Sequence, residues 1–355
     1  WDSRGRPTVE AEVTLHSGAT GHAIVPAGAS KGTREALELR DATAAFGGLD
    51  VMRAVGHVNG EIARALVGSS AADQAALDRR LIELDGTPDK SRLGANATLA
   101  VSMATAHAMA ASQRVPLYQY LGGADATLLP MPQIQIFGGG AHAGRRVDIQ
   151  DFMIVCPGAR SYTEALEWTA EVYRHAGLLM QQRGALSGVA DEGGWWPDFD
   201  TNEQALETLL AAIERAGYAP GTQVAIALDI AASEFGREGR YALGLESREL
   251  DSDGLIELLL RWIDRYPIVS IEDPLGEDDP DGFARFTRAV GKRVQIVGDD
   301  FLVSDANLVQ RAAASGAANA VLLKPNQRGT LSETLAAWRA AQAAGYAGIV
   351  SARSG

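Results

Sequence analysis

IVSIE at 268–272, GFARFTRAV at 282–290, VQIVGD at 294–299, SDANLVQRAAAS at 304–315 and AVLLK at 320–324 decide the fold of this chain. The first, third and fifth are short apolar runs of strand length, and the second and fourth carry apolar residues at helical spacing. Strand and helix alternating at this interval predict a parallel sheet with crossover helices. The rhythm extends outward. Further strands are read at 131–137, 148–155, 224–229 and 347–351, and further helices at 162–182, 201–216, 252–266 and 330–344. That makes seven strands, one short of a closed (β/α) barrel. A doubly wound open sheet is the alternative, but no Gly-rich dinucleotide fingerprint follows an early strand, so the barrel leads.

Upstream the pattern differs. Residues 8–15 alternate like a half-buried strand, 22–26 read as its partner, and SGATG at 17–21 is the turn between them. Helical stretches follow at 51–66, 71–84 and 95–112. This reads as an N-terminal α+β capping domain over 1–128, with an α/β barrel over 129–355. No internal repeat or low-complexity tract interrupts either part.

Composition narrows the function classes. The 355 residues carry 32 Lys plus Arg against 45 Asp plus Glu, a net charge of −13, so no basic surplus exists to neutralise the phosphates of a nucleic acid. Hydrophobic residues at 46% and charged residues at 22% are ordinary globular proportions and argue against disorder. The single Cys156 excludes an internal disulfide framework and fits a reducing compartment. The most apolar stretch, 93–111, is Ala-rich and carries Asn96, Ser102 and His107, which predicts a buried helix rather than a membrane span. No signal peptide is read at the start. The chain begins at Trp1 and stops at Gly355 in what reads as a loop.

Charge sits where the strands end. ALD ends at Asp229, SIED at Glu272 and Asp273, VGDD at Asp299 and Asp300, LLK at Lys324, and IQD carries Asp151 within its strand. In a barrel the carboxyl ends of the strands converge on one mouth, which predicts that Asp229, Glu272 and Asp299 face one another across a few ångströms. One acid at a strand end reads as a helix cap or solvated turn. Three on successive strands, followed by a lysine, point instead to a hard divalent cation, Mg²⁺ where a phosphate also binds. Lys324 lies in an apolar run beside that site. Desolvation and a neighbouring metal would both lower its pKa and make it a base, and the alternative is a structural lysine paired with Asp299. Two glycine-bracketed segments add His142, in GGGAHAG, and the acids Asp191 and Glu192, in ADEGG. An exposed turn remains open for the second.

In family order, these segments resemble enolase. DSRGRPTVE (2–10) is similar to the family's DSRGNPTVE and PAGAS (26–30) to its mobile PSGAS loop. EALELRD (35–41), KSRLGANA (90–97), DEGG (191–194), ALDIAASEF (227–235), SIEDPL (270–275) and NQ (326–327) follow. The resemblance implies reversible, Mg²⁺-dependent dehydration of 2-phosphoglycerate to phosphoenolpyruvate, the glycolytic hydro-lyase reaction. It implies that Asp229, Glu272 and Asp299 hold a first Mg²⁺ and Ser30 a second, and that Lys324 takes the C2 proton. It implies Glu192 as the acid for the C3 hydroxyl, with His142, Asp151, Arg353 and Ser354 around the substrate. A cytoplasmic homodimer paired through its N-terminal domain, acting on a small phosphorylated carboxylate and on neither nucleic acid nor membrane, is implied as well.

The chain departs from the pattern at the other end of the substrate. HRSG is ARSG (352–355), QEF is QDF (150–152), NGG is GGG (138–140), and GDEGGFAP is ADEGGWWP (190–197). Pro325 replaces an aliphatic residue beside Lys324. Asp151, one methylene short, is expected to fall short of the acids around Glu192. These changes keep two alternatives open: a paralogue dehydrating a phosphonate or phosphinate analogue in a secondary pathway, and a non-catalytic enolase-like protein. By the same resemblance an eighth strand with a second lysine is expected beyond Gly355, so that the barrel should not close within these residues.

Overall fold

The computed structural model describes residues 1–28 and 30–353. The chain opens on an antiparallel hairpin, β1 (Val9–Thr14) and β2 (Thr20–Val25), in register from Val9↔Val25 to Thr14↔Thr20. Val9, Ala11, Ala23 and Val25 are buried and the residues between them exposed, the two-residue period of a sheet with one face covered. Residues 52–66 form one unbroken helical run: α1 (Met52–His57), a π turn at Val58–Ile62, and α2 (Ala63–Leu66). Asp73 caps α3 (Gln74–Asp85) by accepting from the Ala76 N–H, and left-handed Gly86 ends it. The hairpin lies on α4 (Ala95–Gln113), the expected Ala-rich helix. Their approach is close: a Cβ on Gly21 would sit 2.1 Å from the Ala108 backbone nitrogen. After α5 (Leu117–Gly122) the chain passes into the second unit. The first packs its own core around Leu81, Leu93, Leu99 and Ile62.

The second unit is a curled seven-stranded sheet wrapped by helices. Its strands are β3 (Ile134–Gly138), β4 (Asp151–Val155), β5 (Ala225–Asp229), β9 (Ile268–Glu272), β10 (Gln295–Gly298), β11 (Ala320–Leu323) and β12 (Ala347–Val350), with β3 and β12 at the two edges. A small antiparallel sheet of β6 (Gly236–Arg237), β7 (Arg240–Leu243) and β8 (Arg248–Asp251) is inserted after β5. Six helices cover the outside: α6 (Tyr162–Gln182), α7 (Asn202–Arg215), α8 (Ser252–Arg265), α9 (Pro280–Val290), α10 (Ala306–Ser315) and α11 (Leu331–Ala343). Aromatic side chains such as Trp262, Phe283 and Phe286 fill the space between helices and sheet. This is the expected enolase-type α/β barrel architecture, with seven strands among the described residues and β3 and β12 unpaired with each other.

One expectation is corrected. The sheet is not parallel throughout, because β4 runs antiparallel to both β3 and β5. The cause is the connection: only residues 139–150 separate β3 from β4, with a short 3₁₀ turn and no crossover helix. Asp151 therefore enters the sheet at the start of its strand, level with Asp229 at the end of β5.

Candidate active site

The strand ends supply one side of the site. Asp229 ends β5, Glu272 lies beside it at the end of β9, and Asp299 follows β10. Lys324 follows β11. All four are buried. Burial, then the charge of Asp299, pushes the Asp229 carboxyl up to about 7. Burial, then the charges of Asp229 and Asp299, holds Glu272 well above the usual carboxylate range. Asp300 is pushed up to about 10, first by burial and then by Asp299 and Asp273.

The expected triad is aligned along adjacent strand ends rather than gathered into a single knot. The acidic groups whose ligand atoms lie within 4.8 Å of one another, among the described residues, are Asp273 with Asp299 and Asp300, and His142 with Asp151 and Glu192. Asp273, at φ 38°, spends both carboxylate oxygens on the Asp299 and Asp300 backbone N–H groups, each 2.8 Å away, and so shapes the turn after β10. Gln150, which sequence reasoning passed over, joins the metal side to the N-terminal unit. Its amide donates to Asp229 Oδ2 at 2.9 Å and to Ser30 Oγ at 3.3 Å, while its own Oε1 is buried without a partner among the described residues. An all-oxygen, buried, mutually repelling donor set with an unpartnered carbonyl beside it fits a hard divalent cation.

Lys324 departs from expectation. Its ammonium is bonded to Asp299 Oδ2, and Asp299 Oδ1 accepts from Gln327 at 2.8 Å. Burial lowers the lysine pKa, but the charges of Asp299 and Glu272 and the hydrogen bond outweigh it, so the net shift is upward. This is the pairing with Asp299 that the sequence left open as the alternative.

The opposite side of the site is made by loops. Gly139–Gly144 places His142 over the mouth, buried, with Nδ1 2.8 Å from Asp191 Oδ1. Its Nε2 lies 3.8 Å from both Asp151 Oδ2 and Glu192 Oε1. Asp151 comes within 4.8 Å of Glu192 and His142, closer than its shorter side chain predicts. Gln135 on β3 explains how: its amide donates to Asp151 Oδ1, and its Oε1 accepts the Gly194 N–H at 2.8 Å. Burial, then the charges of Asp229 and Glu192, pushes Asp151 well up.

Gly138 now has a structural reason. A Cβ there would lie 2.5 Å from Ala190 Cβ and 2.9 Å from Gln135 Oε1, so a larger residue would displace that amide. Trp195 anchors the acid loop: it stacks on Tyr173 at 4.6 Å and donates Nε1–H to the Tyr173 carbonyl at 2.8 Å. Its backbone pairs with β3, accepting from the Gly138 N–H and donating to Ile136 O. Residues 191–192 do lie in an exposed turn, but Asp191 is not left to solvent alone, since it bonds both His142 and Arg4.

A cavity of about 780 Å³ runs between these sides, lined by Ser30, His142, Asp151, Glu192, Lys324 and Arg353 among others. Arg353 Nη1 donates to Ser351 Oγ at 3.2 Å, and its buried Nε has no partner among the described residues. Gly28 lies against it, where a Cβ would come 2.1 Å from Nη2. Ser354 lies outside the described residues. No helix among the described residues is long and apolar enough to cross a membrane.

A capping α+β unit on a curled α/β barrel, with buried carboxylates and a lysine at the strand ends and acid-bearing loops opposite, defines the capped-barrel lyase type. Residues 1–121 match the model of the enolase N-terminal domain and residues 126–355 that of the enolase C-terminal TIM barrel domain. The chain belongs to the enolase family.

Proposed function

We propose that this protein catalyses the reversible, Mg²⁺-dependent dehydration of 2-phosphoglycerate to phosphoenolpyruvate. The observation that carries this reading is the opposition of Lys324, at a strand end among buried carboxylates, to the His142–Asp151–Glu192 group across one cavity.

Asp229, Glu272 and Asp299 would hold one divalent cation, and Ser30 would join a second. When bound, these cations supply positive charge against the substrate carboxylate and phosphate. Lys324, as the free amine, takes the C2 proton, and the electron pair moves onto the carboxylate. That pair then closes the C2–C3 double bond as the C3–O bond breaks. Glu192 gives its proton to the departing hydroxyl, which leaves as water. Asp151 and His142 flank that hydroxyl and exclude bulk solvent. Arg353 offers its unpartnered Nε to the phosphate with charge-assisted hydrogen bonding. A homodimer in the cytoplasm belongs to the same reading.

A second reading is favoured by Ala352, which leaves Arg353 without an imidazole beside it at the phosphate end. Here the substrate would be a phosphonate or phosphinate analogue. Incubation with Mg²⁺ and 2-phosphoglycerate, following phosphoenolpyruvate, decides. Turnover of about 1–10³ s⁻¹ supports dehydration of 2-phosphoglycerate. No turnover, with Mg²⁺-dependent C2 proton exchange in an analogue, favours the second reading. Failure to bind Mg²⁺ removes both.

A further inference from the structure

The structure assigns Arg4 a positioning role: acting through Asp191, it sets the orientation of His142 and the placement of the acid loop. This rests on the function proposed above.

Arg4 belongs to the N-terminal unit, yet its side chain is only 6% exposed and reaches into the site. It leaves a tight turn in which Asp2 Oδ1 accepts from the Arg4 and Arg6 N–H groups at 2.9 and 2.8 Å. Gly5, at φ 70°, permits that turn. The guanidinium Nε donates to Asp191 Oδ2 at 2.6 Å, and Nη1 donates to the Ala27 carbonyl at 3.0 Å. Nη2 lies 3.6 Å from Glu192 Oε1. One planar fork therefore spans two loops: the one leading to Ser30 and the one presenting Glu192. A lysine carries its donors on one nitrogen and cannot reproduce the spread of Nε and Nη1 across both loops.

Asp191 passes this constraint to the imidazole. With Oδ2 held by Arg4, Oδ1 faces His142 Nδ1 at 2.8 Å. An ionised carboxylate only accepts, so Nδ1 carries the proton at this contact. The nitrogen presented to the cavity is then Nε2, 3.8 Å from Asp151 and from Glu192. Those separations are too long for direct hydrogen bonds and frame the space for the leaving hydroxyl. Beyond the Arg4 bond to the Ala27 carbonyl, this relay through Asp191 and His142 stays on the acid-loop side and does not touch Lys324. The role is thus specific to the second half of the reaction, loss of the hydroxyl.

The test uses Arg4→Gln, Arg4→Lys and Asp191→Asn in the purified protein. The first readout is the ¹⁵N spectrum of the imidazoles; the chain has six histidines, so His142→Gln supplies the assignment. Wild type should show His142 protonated at Nδ1. Asp191→Asn should lose that preference, and Arg4→Gln should weaken it. The second readout is kinetic. Arg4→Gln and Asp191→Asn should lower kcat about 10–100-fold, with KM changed less than about threefold and C2 proton exchange retained. Arg4→Lys should recover part of the loss.

An unchanged His142 signal in Asp191→Asn overturns the assignment, as do variants within about twofold of wild-type kcat. If wild type does not turn over 2-phosphoglycerate, the functional reading fails on its own and the imidazole spectrum alone decides the positioning role. If Arg4→Gln does not fold, the isosteric Asp191→Asn carries the test.

Discussion

The two sides of the cavity are built differently. Asp229, Glu272, Asp299 and Lys324 project from the ends of β5, β9, β10 and β11, where the ladder of neighbouring strands fixes each backbone. His142, Asp151, Asp191 and Glu192 sit on loops or at the start of the reversed strand, and are placed by side chains from elsewhere: Gln135, Arg4 and Trp195. The first side is rigid through main-chain bonding and electrostatically crowded. The second is polar, adjustable and dependent on contacts between residues far apart in sequence. In the proposed reaction, proton abstraction would fall to the rigid side and leaving-group chemistry to the adjustable one.

The sharpest way to break this comparison is to remove one group from each side. Lys324→Ala should lower kcat about ten-thousand-fold and abolish C2 proton exchange, since Lys324 is the base of the proposed reaction. Glu192→Gln should cost about a hundred- to a thousand-fold in kcat while exchange continues, because the lysine side stays intact. Equal loss of exchange in both variants would show that the two sides do not act separately.

The crowding itself can be measured. Asp229 is raised from 3.8 to about 7. Between those values the folded chain keeps a proton that the unfolded chain has lost. Its stability contribution is fully present below the unfolded pKa and is lost as pH rises through the folded one. In EDTA, Tm should therefore fall as pH climbs from about 4 to about 7, and Mg²⁺ should flatten that decline. The groups facing Asp229 are Asp151, Glu272, Asp273, Asp299, Lys324 and Gln150. A flat Tm profile in EDTA would mean that the strand-end carboxylates do not strain the fold.

Two smaller changes sharpen the adjustable side. Gly138→Asn should destabilise by about 1–3 kcal/mol through overpacking against Gln135 and Ala190, read as a lower Tm, and should loosen Asp151. Trp195→Phe keeps most of the stack on Tyr173 but loses one hydrogen bond, about 1 kcal/mol. An unchanged Tm in both would mean that the acid loop is held by its backbone pairing with β3 alone.

What the sequence made legible follows the same division. An apolar run with a charge at its end is a local pattern, so all seven strands and the four strand-end residues could be found without knowing their neighbours. Direction is not local: the apolar run of β4 reads alike forwards and backwards, and only the missing crossover helix tells of its reversal. The two-residue turn at Glu238-Gly239, both at positive φ, carried a hairpin signal for β6 and β7 that was passed over. Arg4 and Gln135 looked like ordinary polar residues because their partners lie 187 and 16 positions away. The two readings of Lys324, a base of lowered pKa or a partner of Asp299, stayed open in the sequence for a related reason. Desolvation could be inferred from its apolar run, whereas the ion pair with Asp299 depends on tertiary distance.

The reversed strand sets the direction in which this site can evolve. Because β4 ends at the floor of the barrel, the chain climbs back along α6 and descends along α7, which pack on one another, and the acid loop is the tip of that climb. A substitution between α6 and α7 can tilt the tip, and with it Glu192, without shifting a strand that carries Asp229, Glu272 or Lys324. If the proposed dehydration holds, new leaving groups can therefore be explored by mutation on one helical hairpin while the strand-end groups are inherited unchanged.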